Sequence, residues 1–183
     1  MKARLFYLLI CSIVMGVVAH ICIILLVPLL GEKDAARKIL ASVPTGKFEK
    51  LADIKDIEIL NSDPFFEIAT CKFDISDVGV EVEGERTDLF WSASIFNARG
   101  RVLYSFNNRT AIGKKLKLIL VNPIQMASIR QRQPEELETS IVVETSENVG
   151  FIAVRVLVKD TSLTQRANNF LHKLRCSDYT GQV

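Results

Sequence analysis

Leu89-Phe90-Trp91-Ser92-Ala93-Ser94-Ile95-Phe96 is followed by Asn97-Ala98-Arg99-Gly100 and then by Val102-Leu103-Tyr104-Ser105-Phe106. Two runs rich in aromatic and β-branched residues, separated by a short loop that ends in glycine, form the pattern of a β-hairpin. Side chains alternate along a strand, so Trp91, Ala93 and Ile95 share one face, and Trp91 is expected to anchor a core or the space between two sheets. Asn97 and Gly100 suit the turn itself, because an Asn side chain can bond nearby backbone and glycine accepts the positive φ of a G1-bulge loop.

The same punctuation continues on both sides. Glu67, Ala69, Cys71 and Phe73 alternate with Ile68, Thr70 and Lys72, and Val78, Val80 and Val82 alternate with Gly79, Glu81 and Glu83. Leu116 to Val121, Ile141 to Glu144 and Phe151 to Val158 read as further strands. Pro123 to Gln131 is expected to form one helix closed by Pro134, and Leu163 to Leu174 another. Short strands joined by brief turns, without repeated strand-helix-strand units, predict a mainly β (α+β) fold: an antiparallel, sandwich-like domain with peripheral helices.

Ahead of this domain, Leu5 to Leu30 contains no charged residue. As a helix it reaches roughly 39 Å, more than the roughly 30 Å hydrocarbon core of a bilayer. Lys2 and Arg4 before it, with Val17-Val18-Ala19 as a small-residue site, also fit a cleaved signal peptide. Cleavage there would expose the apolar stretch Ile21 to Leu30 to water, so an uncleaved transmembrane helix is predicted, within which Pro28 is tolerable. Lys2 and Arg4 on one flank face Lys33, Arg37 and Lys38 on the other, so the charge count does not set orientation. A short head before one long apolar segment has the form of a signal anchor, which translocates the downstream chain largely regardless of charge.

The expected organisation is therefore a cytoplasmic head at 1–4, a transmembrane anchor at 5–30, a helical linker at 31–62 and a β-rich periplasmic domain with a C-terminal helix at 63–183. Within the linker, Asp34 can cap a short helix that Pro44-Thr45-Gly46 ends. From Lys47 to Leu60, Phe48, Leu51, Ile54 and Ile57 recur at three-residue spacing, as in a second loose helix or a plain linker. Ser12, Gly16 and His20 fall at four-residue intervals on one face of the anchor, which would suit a helix-helix seam in a homodimer or an ordinary lipid-facing surface.

The chain has 23 basic and 21 acidic residues, and without Lys2 and Arg4 the two counts are equal, which removes the electrostatic case for nucleic acid as a partner. Charge is nevertheless segregated along the sequence. Glu49 to Asp88 holds twelve acids and four bases, and Leu89 to Pro134 holds eight bases and no acid. The blocks can neutralise each other across adjacent strands. Alternatively Arg99, Arg101, Arg109, Lys114, Lys115 and Lys117 gather on one surface that suits anionic lipid headgroups or an acidic partner. Cys71 and Cys176 are the only cysteines beyond the anchor. They are either a disulfide closing a loop of about a hundred residues or two buried thiols.

Phe90-Trp91-Ser92, Phe96-Asn97 with Gly100, and Asn107-Asn108-Arg109 before Ile112-Gly113 together resemble the bacterial envelope families numbered 1254 and 1214 among the domains of unknown function. Asp63-Pro64 followed by Cys71-Lys72-Phe73-Asp74 is similar to the opening of their shorter, membrane-anchored members, and Phe151 to Val158 with Arg155 to their late arginine-bearing strand. The resemblance runs from Asp63 to Val158. It implies a β-rich envelope domain behind a single anchor, and no reaction. The second β domain of the long members is not contained in this chain.

Asn107, Asn108 and Arg109 directly follow a strand, where two amides and a guanidinium can hold loop carbonyls or bind an anion. Arg155 shares a strand face with Phe151, Ala153 and Leu157, so burial of that face would require a carboxylate partner. Catalytic chemistry is sparse: the two histidines are His20 in the anchor and His172 near the end, no Cys/His spacing suits zinc, and Thr45-Gly46-Lys47 lacks the first glycine of a phosphate loop. No cofactor or metal is expected. Asn108-Arg109-Thr110 fits a glycosylation sequon, incidental in a bacterial protein. These features predict a single-pass protein of the bacterial inner membrane whose partners are the lipid bilayer and an envelope protein or a second copy, and whose domain binds or scaffolds. The alternatives are an enzyme holding an anionic substrate with Arg109 and Arg155, and a structural subunit of a membrane complex.

Overall fold

The computed structural model describes residues 2–54, 63–132 and 135–181. The chain divides into two compact units, Met1–Asp34 and Ala35–Val183. In the first, Lys2–Val27 is helical over 26 residues and is long and apolar enough to cross a membrane. The helix that contains it, α1, is Lys2–Ser42, so the short separate helix expected to start at Asp34 is instead the last part of α1.

Two sheets make the second unit. The five-stranded sheet has the order β1-β2-β8-β4-β5, with β1 Glu49–Lys50, β2 Phe66–Asp74, β4 Trp91–Asn97, β5 Val102–Asn107 and β8 Val149–Leu157. The four-stranded sheet has the order β7-β6-β3-β9, with β3 Val80–Gly84, β6 Leu116–Val121, β7 Ile141–Glu144 and β9 Arg175–Asp178. The main core lies between them. Phe73, Val82, Trp91, Ile95, Leu118 and Ile152 are all fully buried there, as the alternation along each strand requires.

The expected antiparallel pairing is corrected for one pair of strands, apart from an isolated parallel bridge between Thr45 and Lys72. β6 and β7 run parallel, Leu118 opposite Ile141 and Val121 opposite Glu144, because α2 (Pro123–Arg132) and a 3-10 turn (Glu135–Thr139) form a crossover between them. Asn122 starts α2 with a reciprocal cap: its Oδ1 accepts from the Gln125 backbone N–H and Gln125 Oε1 accepts from its own, both at 2.9 Å, with Pro123 at the first helical position. Pro134, expected to close that helix, lies outside the described residues.

The segment expected as a linker, 31–62, is divided differently. Ala36 and Ile39 on the last turns of α1, and Val43 just after it, are buried in a second cluster with Leu51, Ile54 and Phe151, so helix and sheet pack together and the domain begins at Ala35. Glu49–Lys50 is a strand paired with β2, and Leu51–Asp53 a 3-10 turn, in place of a second loose helix; 55–62 lie outside the described residues. Helix α3 (Thr164–His172) buries Ala167, Phe170 and Leu171 against the main core. The edge strand β9 comes next and has only Cys176 buried, and Cys176 is bonded to Cys71 of β2 across 105 residues, joining the two sheets covalently.

Gly150 of β8 faces Asn97 and lies directly beneath the Phe96 carbonyl. A Cβ there would collide with that oxygen and come within 2.7 Å of Phe73 Cζ. Gly150→Ala is therefore expected to destabilise the domain by about 3 kcal/mol, read as a lower urea midpoint at unchanged slope.

Candidate functional site

The hairpin holds itself together with the residues that mark it in the sequence. Asn97 is fully buried, and its Oδ1 accepts from the backbone N–H groups of Arg99 and Arg101 at 3.0 Å each, while Gly100 closes the turn at φ +83°. Trp91 is fully buried and meets Phe106 edge to face at 5.8 Å. At the other end of the hairpin, Asn107 Oδ1 accepts from the Arg109 backbone, Asn107 N–H donates to Thr110 Oγ1, and Asn108 Nδ2 donates to the Leu89 carbonyl. Asn107 is thus committed to its own loop and Asn108 ties that loop to Leu89, ahead of β4, while Asn108 Oδ1 is buried without a hydrogen-bond partner among the described residues; the loop then turns at Gly113 (φ +63°) and Lys114 (φ +58°).

Arg155 is corrected. Ile68, Arg155, Ser92 and Asn107 form one row across β2, β8, β4 and β5, on the face away from the main core, and Arg155 is exposed there. Phe151 and Ala153 on that face are buried, Phe151 in the cluster that includes α1, whereas Arg155 lies further along the strand in water. An exposed guanidinium needs no carboxylate partner.

The six bases do not form one patch. Arg99 and Arg101 flank the turn at the Asn97 end of the hairpin, whereas Arg109, Lys114, Lys115 and Lys117 come after β5 at its far end. Ser12, Gly16 and His20 all lie exposed on α1; the Ser12 hydroxyl donates to the Leu9 carbonyl one turn back.

At the end of the sandwich where β3 stops and β6 and β9 begin, a cleft of about 890 Å³ opens. Four separate segments line it: Glu83 to Arg86, Ile112 and Gly113 with Lys115 to Lys117, Thr139 at the end of the 3-10 turn before β7, and His172 to Arg175. Leu116 and Leu174 form a buried apolar floor. Its rim carries Arg86, Lys115, Lys117, Lys173 and Arg175 against Glu83 and Glu85. Lys117 is drawn to Glu81 and Glu83, at 3.7 and 4.0 Å, and Lys173 bonds Glu85 at 2.9 Å. Among the described residues no ion pair holds Arg86, Lys115 or Arg175, although Glu83 is the strand neighbour of Arg175. The arrangement is an apolar-floored recess with three cations that have no ion-pair partner among the described residues and with the His172 imidazole at its edge. Neither Arg109 nor Arg155 lines it. The run Lys114-Lys115-Leu116-Lys117 was its one local signal; Arg86 and Arg175 carried none.

The fold is that of a two-sheet β domain behind an apolar helix. No family model matches the chain, and no curated protein matches it. Among solved structures, the VPA0106 protein of Vibrio parahaemolyticus is similar over 81% of this chain, with a TM-score of 0.59 at 13% identity, so the likeness is one of fold. An uncharacterized protein of Burkholderia cenocepacia aligns over 85% of this chain and 41% of its own length, with a TM-score of 0.47 at 15% identity. This chain spans 35% of the length of the Vibrio protein.

Proposed function

We propose that this chain is a single-pass protein of the bacterial inner membrane that holds a β-sandwich binding module on the periplasmic side, with its N-terminus in the cytoplasm. The observation that carries this reading is the Cys71–Cys176 bond in a chain that opens with a membrane-length apolar helix. Disulfides persist in oxidising compartments, which supports a periplasmic domain where the flanking charges favour neither side. The cleft supports a binding role, since cations with no ion-pair partner among the described residues, set over an apolar floor, hold a ligand without themselves supplying a reaction. The motif from Phe90 to Gly113 supports membership of the envelope families it resembles.

Protease added to spheroplasts is expected to remove the domain, and the purified chain to keep its N-terminal residues by intact mass. A domain cut only after lysis would reverse the orientation. A polypeptide starting near residue 20 would replace the anchor with a signal peptide.

A further inference from the structure

We infer that the cleft between Gly84, Lys115 and Arg175 is a binding site for the phosphate group of an organic anion. The inference gives the proposed binding module its ligand class and rests on that reading. Arg86, Lys115 and Arg175 reach the cleft from the β3–β4 loop, the start of β6 and the start of β9, three stretches that only the fold brings together. The two acids among the described residues that line the cleft are already engaged, Glu83 with Lys117 and Glu85 with Lys173. An entering anion therefore meets net positive charge. Arginine forks match phosphate geometry with two parallel hydrogen bonds, and lysine adds a point charge, so the set suits a group carrying about two negative charges better than a single carboxylate.

The volume is larger than a bare phosphate needs. At about 890 Å³ it lies in the range of sites for small organic ligands, and Leu116, Leu174 and the half-exposed Ile112 offer apolar contact to the body of such a molecule. Because the cations are exposed, screening by salt is expected to weaken binding strongly. The phosphate can belong to a soluble phosphorylated compound or to the headgroup of an anionic lipid, which share this chemistry.

The test is calorimetric titration of inorganic pyrophosphate into the full chain in dodecyl maltoside micelles at low salt. Saturable binding of about one equivalent is expected, weakened at least about tenfold in Arg86→Gln/Lys115→Gln/Arg175→Gln and unchanged in Arg99→Gln/Arg101→Gln at the opposite end of the sandwich. Absence of saturation in the parent chain, or an equal loss in both variants, would overturn the inference. Competition by phosphatidylglycerol, with phosphatidylcholine as control, then separates the sources: displacement of pyrophosphate assigns the site to a lipid headgroup, and its retention to a soluble compound, either result supporting the site. Tether and sidedness are read by protease and by mass, so their failure is distinct from failure of this titration.

Discussion

Replacing both Cys71 and Cys176 by alanine is expected to lower the stability of the domain by about 4 kcal/mol, or roughly 10 °C in Tm. The bond spans 105 residues of sequence, and in chain-entropy terms a loop of that size frees the unfolded chain by about 4 to 5 kcal/mol when opened. The folded state adds a local reason. β9 is a four-residue edge strand whose other three side chains are exposed, so apart from the bond it is held by its ladder to β3 and by Cys176 alone. Without the bond it loses its tie to β2 in the opposite sheet, and the end of the chain frays. Thermal unfolding of the full chain with and without a phosphine reductant checks this: reduction should shift the parent chain and leave the double variant unmoved. Hydrogen exchange should show the loss of protection greatest at Val80 to Glu83 and Arg175 to Asp178. Equal midpoints for all samples would mean that packing alone holds the two sheets.

How much of this architecture the sequence discloses depends on whether burial is local. β2, β3, β4, β6 and β8 are legible because each must present apolar residues to a core every second position, and the structure places them within two or three residues of the expected bounds. β9 is illegible for the opposite reason: Arg175-Cys176-Ser177-Asp178 joins the sheet through its backbone and buries one side chain. The direction of β7 is likewise silent, since a strand that arrives by a crossover has the same alternation as one that arrives by a hairpin. Arg155 shows where face logic stops. Its strand neighbours Phe151 and Ala153 are buried on the face it shares, but that burial ends short of Arg155. The end of α1 belongs to the domain because Ala36 and Ile39 pack with Leu51, Ile54 and Phe151, partners far enough along the chain that the helix by itself does not reveal them. The cleft was least legible, because its cations come from segments far apart in the chain and no local pattern joins Arg86, Lys115 and Arg175.

Trp91→Ala is expected to cost about 4 kcal/mol, a large share of the roughly 5 to 15 kcal/mol that separates a folded domain from its unfolded chain. Trp91 opens β4, opposite Val156 of β8, and its ring is the largest fully buried side chain. Truncation leaves a cavity lined by neighbours whose strands are fixed on both sides by ladders, so collapse around it is limited. Phenylalanine at the same place behaves differently. The indole Nε1–H has no hydrogen-bond partner among the described residues, so Trp91→Phe removes an unsatisfied buried donor along with part of the ring volume. The two effects oppose each other, and the net cost should be about 1 to 2 kcal/mol. Phe106 stands edge-on to the indole at an interplanar angle of 87°. A double-mutant cycle of Trp91→Ala with Phe106→Leu should therefore return a coupling of about 1 kcal/mol, and the same cycle with Trp91→Phe, which keeps an aromatic ring there, a much smaller one. Chemical denaturation of the single and double variants measures all of this. A Phe variant as unstable as the Ala variant would show that the indole N–H is bonded in solution and that the ring's polar edge is part of what holds the hairpin on the core.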